Sequence, residues 1–146
     1  NIAMSPELAL GPDMRHDSHL VIDFGDDSLT QGRPHPMIDP SLRLDRIREE
    51  GRDPRCGVLL VDLVLGHGAH ADPAPELAEA LTQARETARA DGRELPVVVS
   101  LTGVEGDPQG LTRSAETLRE AGASVFLSNA QATRHALSLL APEENR

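Results

Sequence analysis

A chain of 146 residues with a formal net charge of −10, one cysteine, two Phe and neither Trp nor Tyr has room for one domain around one core. The acidic balance and the near absence of stacking rings exclude nucleic acid as a partner, because phosphate contacts need a basic face and single strands need aromatic platforms. No apolar run approaches the roughly 18 residues of a membrane span, no signal-peptide pattern is present, and Cys56 alone cannot build a disulfide framework or a cysteine zinc site, so the expected location is cytoplasmic.

All 14 basic residues are Arg, which removes a lysine Schiff base and a P-loop lysine from consideration. Asn1, Ile2 and Ala3 stand before Met4 and read as a remnant of expression. Residues 4–18 are polar, broken by Gly11-Pro12, and read as a lead-in to a domain over residues 19–140, with a short tail at 141–146. The first apolar run, Leu20-Val21-Ile22, predicts a strand near residues 19–24. Asp39-Pro40 is a helix-start signal, an N-cap followed by proline in the first turn, opening a helix through Leu44 and Ile47.

Val58-Leu59-Leu60-Val61 predicts a second strand. Leu77, Leu81, Ala84 and Ala88 then recur at helical spacing, with Gly92 placed to stop that helix. Val97-Val98-Val99 gives a third strand, and Leu111, Ala115, Leu118 and Ala121 a helix ending at Gly122. Val125-Phe126-Leu127 gives the fourth strand, and Ala132, Ala136 and Leu139 the inward face of a last helix over residues 129–140. The runs are continuously apolar rather than alternating, which suits parallel strands covered on both faces. The order β-α-β-α-β-α-β-α predicts a three-layer α/β/α domain with a mainly parallel sheet of four to five strands.

Ligands of such sheets bind outside the carboxyl ends of the strands, which directs attention to four loops. Residues 66–70 read Gly66-His67-Gly68-Ala69-His70: two glycines let a ligand approach the backbone, and the helix that follows presents unpaired N–H groups and the positive end of its dipole, an anion site. A tight turn with merely solvated histidines explains the same residues, and His67 with His70 needs Asp72 as a third ligand before a metal is reasonable, so no metal site is assigned. Asp26 and Asp27 offer a carboxylate pair for acid–base work or a hard cation, or simply form a turn. His35, held between Pro34 and Pro36, sits on stiff backbone. Gly103 opens the third loop and Asn129 closes the fourth. His135 reads as a packing residue within the last helix, and no Walker, G-x-G-x-x-G, G-x-S-x-G or H-E-x-x-H motif occurs.

The run from His19 to Asp27, continued by Gly32-Arg33-Pro34-His35-Pro36-Met37-Ile38-Asp39-Pro40, resembles FdrA, an acyl-CoA-synthetase-like family. Leu65 to Pro73, the Glu105-Gly106-Asp107-Pro108-Gln109 turn and Ser128-Asn129-Ala130 carry the resemblance across residues 19–140. More distantly the layout is similar to the flavodoxin-like CoA-ligase domain of succinyl-CoA synthetase subunits, which form acyl-CoA with nucleotide hydrolysis through a phosphohistidine. The resemblance implies a phosphohistidine loop after the Val97 strand, where residues 103–108 hold no histidine, so that role does not pass to His67. It also implies a Gly-rich strand and helix before residue 19, a CoA-binding domain and an ATP-grasp domain.

Two functions from different classes follow. One is a stand-alone FdrA-type domain, a component of a multi-chain acyl-CoA-synthetase-like or carbamoyl-transfer enzyme, inactive alone, binding an acyl or carbamoyl phosphate, with CoA reached through a partner chain. The other is a non-catalytic binding or scaffold module. Either implies a homo-oligomer, or a hetero-oligomer with a CoA-binding-domain protein, paired beside residues 19–23.

Overall fold

The computed structural model describes residues 10, 11 and 13–140; the segments read above as a remnant (1–3) and a tail (141–146), and residues 4–9 and 12, lie outside the described residues. In chain order the elements are α1 (Asp27–Thr30), α2 (Ser41–Glu50), β1 (Leu59–Val64), α3 (Pro73–Ala90), β2 (Val97–Thr102), α4 (Leu111–Glu120), β3 (Ser124–Phe126) and α5 (Asn129–Leu140). The strands form one parallel sheet in the order β1-β2-β3, with Leu59 opposite Val97 and Val98 opposite Ser124. Each parallel connection is a helix, as the alternating pattern requires.

Side chains alternate across the sheet, so each strand feeds two faces. Leu59, Leu63, Val97, Val99 and Leu101 join Leu77, Leu81, Ala84 and Ala88 of α3 in the main core, together with Leu44 and Ile47 of α2 and Ala115 and Leu118 of α4. Val98 faces the other way, onto Ala132 and Ala136 of α5. The helical spacing of α3 explains its place: its four stripe residues are fully buried, and each buried leucine contributes roughly 1.5–3 kcal/mol. Gly51 ends α2 where a Cβ would lie 2.6 Å from the Ala84 carbonyl oxygen, so α2 approaches α3 closely only because residue 51 has no side chain. Gly92 and Gly122, with φ of +74° and +81°, follow α3 and α4 at the stops the sequence marks.

The sheet corrects one expectation. Residues 19–23 form no strand, and the described sheet has three strands rather than four or five. Three apolar residues make a strand only where an edge receives them. Here the outward carbonyl of Asp62, on the free side of β1, already accepts the Arg43 guanidinium at 2.8 Å. Residues 15–25 and β1 both line a cavity of about 1020 Å³, and no described strand pairs with the outer side of β1. Val21 remains 56% exposed, as the middle residue of a strand covered on both faces would not. The short α1 was not legible from apolar spacing; Asp26 nucleates it as N-cap.

Candidate functional site

The turn at residues 66–70 leaves the carboxyl end of β1 and leads into α3, so the fold places it where open parallel sheets bind ligands. Gly66 and Gly68 have φ of +138° and +85°, backbone that a side chain would strain. The turn is clamped from outside by Gln109, which is 1% exposed. Its Oε1 accepts from Gly66 N at 3.1 Å, and its Nε2 donates to the carbonyls of Gly66 (3.0 Å) and His70 (2.9 Å). The Gln109 carbonyl in turn accepts from Arg113 Nη2 (2.6 Å), and Arg113 grips the Asp72 carboxylate through two nitrogens at 3.0 and 3.2 Å. That bidentate partner pushes the Arg113 guanidinium further toward its charged form.

The accounting of N–H groups in the turn is then short. His70 N donates to the Met37 carbonyl (2.6 Å), Ala69 N to Gly66 O (3.4 Å) and Asp72 N to His70 Nδ1 (3.2 Å). The last bond places the proton of a neutral His70 on Nε2, 3.5 Å from Glu76 Oε1. Among the described residues no hydrogen bond uses the N–H of His67 or Gly68. Pro73 and Pro75 remove two donors from the first turn of α3, so the consecutive amides of His67 and Gly68 add to the thinned donor set of the helix start.

The supporting loops have separate duties. Asp26 caps α1 by accepting from Ser28 N (2.9 Å) and Ser28 Oγ, which holds its carboxyl below the usual range. His35 Nδ1 accepts from Met37 N (3.2 Å), and its ring lies against Gly25, where a Cβ would come within 2.8 Å of Nε2. Thus the His35 loop reaches the turn through Met37, one residue bonding each histidine. Gly103 packs on Leu65, with room for no Cβ beyond 2.9 Å. Asn129 Nδ2 donates to Asp62 Oδ1 (3.3 Å), tying α5 to β1. Turn, His35 loop, Gly103 and Asn129 therefore converge on one end of the sheet, whereas Asp26 and Asp27 serve the short helix. His67, His70 and Asp72 do not assemble as ligands, since Arg113 holds Asp72, and the described residues contain no group of three or more metal-ligating side chains.

Over residues 8–139 the sequence matches the model of the CoA-ligase family. The chain belongs to that family. It is also 42% identical over 129 residues to the uncharacterized protein YahF of Escherichia coli (strain K12), a match that covers 88% of this chain and 25% of the relative. The CoA-ligase domain thus spans about a quarter of the length of this curated relative.

Two residues of the CoA-ligase domain escaped sequence reasoning. Gln109 was visible only as the end of a turn; a polar residue just before the Gly110-Leu111 helix start was the available signal. Arg43 lies beside the apolar stripe of α2 and reaches across to β1. Burial, aided by Glu50 and Asp53, pushes the Cys56 thiol up to about 11, away from the reactive thiolate. His135 packs on Phe126 with ring centroids 5.1 Å apart, the structural role its position suggests. Among the described residues no helix is long and apolar enough to cross a membrane.

Proposed function

We propose that the chain is an FdrA-type CoA-ligase domain that binds an acyl phosphate, carbamoyl phosphate or similar anion at residues 66–70, as one component of a multi-chain acyl-CoA-synthetase-like or carbamoyl-transfer enzyme. The observation that carries this reading is the pair of unspent amides, His67 N and Gly68 N, on a glycine turn at the carboxyl end of a parallel strand. Consecutive N–H groups in a turn with a left-handed residue form a concave anion nest. The Gln109–Arg113–Asp72 network fixes that nest before a ligand arrives, so little ordering cost falls on binding.

CoA, which the family implies, carries an adenine and three phosphates. The chain has no Lys, and three of the four arginines lining its cavity are paired with acids, which supports placing CoA elsewhere. We assign CoA to a partner chain and expect no acyl-CoA synthesis by this domain alone. We place the pairing surface for a second copy or a CoA-binding-domain protein beside residues 19–23, next to the edge of β1 that no described strand pairs with.

A non-catalytic scaffold module is the second reading, favoured by the two prolines that thin the donors of α3. Calorimetry with acetyl phosphate and carbamoyl phosphate separates the two. The first reading expects binding that Gly68→Val abolishes, because valine opposes the φ of +85°. Absence of binding to the wild-type chain, or binding indifferent to Gly68→Val, leaves the scaffold.

A further inference from the structure

We propose that the cavity beside β1 is a second ligand site, separate from the turn, that binds a small amphiphilic oxyanion: a carboxylate or phosphate head on an apolar body, with Arg43 as its counter-charge. The cavity, about 1020 Å³, is of the size that holds small organic ligands. Its wall includes Val21, Leu60, Val64 and Leu137, all between 40% and 60% exposed, an apolar surface suited to a hydrocarbon body.

Four arginines also line it, and three are already matched. Arg15 pairs with Glu49 and Asp53, Arg46 with Glu50, and Arg55 with Asp17 and Asp53. Arg43 has no carboxylate within 4.0 Å among the described residues. Its Nη1 serves the neutral carbonyl of Asp62, and its Nε is buried with no hydrogen-bond partner. The Asp62 carboxylate, whose charge acts on Arg43 without a contact inside 4.0 Å, accepts from Asn129 through Oδ1. Arg43 thus feels the Asp62 charge but touches no carboxylate, which leaves room for a closer anion, and a guanidinium is matched best by a planar carboxylate or a phosphate. Arg43 meets β1 at Asp62, in the carboxyl half of the strand and toward the end at which a parallel sheet presents its ligands. The head-binding group and the apolar wall thus lie in one cavity.

Titration of the full chain with hexanoate and hexyl phosphate tests this, against acetate and inorganic phosphate (head alone) and hexanol (body alone). Both amphiphiles should bind about tenfold or more tightly than any of the three controls, and the Arg43 Nε–H resonance should move with saturation. The tighter of the two identifies the head. Arg43→Gln should weaken hexanoate about tenfold or more without changing hexanol, and Val64→Asp, which sets a like charge on the wall, should weaken it comparably. Should Arg43→Gln not fold, the wild-type Nε–H signal and Val64→Asp decide. A still Arg43 signal in a chain that binds, hexanol binding as well as hexanoate, or no binding at about 10 mM would each overturn the proposal. Shifts at the His67 and Gly68 amides alone would support the turn and contradict this second site.

Discussion

The two faces of the sheet are built from the same kind of apolar run and end up with opposite character. On one side, α2, α3 and α4 close over Leu59, Leu63, Val97, Val99 and Leu101, and almost nothing is accessible. On the other, α5 covers only Val98 and its neighbours, while Leu60 and Val64 of β1 stay 40% and 43% exposed above a cavity. The difference teaches where stability is held. The packed face specifies the fold, and the half-covered face, with the turn at its carboxyl end, keeps surface and donors in reserve.

The sharpest way to break this comparison is to truncate one leucine on each face. Leu81→Ala, at a fully buried position, should lower unfolding free energy by about 2–5 kcal/mol in urea titrations. Leu60→Ala should lower it by less than about 1 kcal/mol, and equal losses would mean that the β1 face is as closely packed as its opposite. Next in size, Gln109→Ala strands the Gly66 and His70 carbonyls and should cost about 1–3 kcal/mol. The same change should speed amide exchange at Gly66; unaltered exchange there would show that the clamp does not hold the turn.

Charge sharpens the comparison along the rim of the cavity. Asp53, hydrogen-bonded to Arg55, has its carboxyl lowered to about 2. A depressed carboxylate contributes stability that is present above its unfolded value of 3.8 and is lost as pH falls through about 2. Asp53→Asn should therefore flatten the acid limb of stability between those values, and an unchanged limb would remove Asp53 from the account. The smallest effect belongs to Cys56. With its thiol near 11 it should carry only about 0.1% thiolate at pH 8 and react with iodoacetamide far more slowly than in urea; equal rates would contradict its burial.

The packed face was legible in sequence because periodicity reports burial. The stripe of α3, the stops at Gly92 and Gly122, and three of the four β runs stand where apolar spacing put them. Residues 19–23 were misread because an apolar triplet does not reveal whether an edge is free to pair with it, and the Arg43 guanidinium occupies a carbonyl of that edge. The converging loops were legible as loops at strand ends. Their connections were not, since Gln109 meets Gly66 across 43 positions and Asn129 meets Asp62 across 67. Contacts so distant leave no local pattern, and Arg43 looks in sequence like one more arginine of a solvated helix.

An amide and methyl shift map recorded while acetyl phosphate is added to the isolated chain tests the central claim most directly. The account predicts saturable shifts at His67, Gly68 and the adjoining end of β1, with the buried methyls of Leu77, Leu81 and Leu118 unmoved. Shifts centred on α2 to α4 with a silent turn, or no shifts at all, would contradict it.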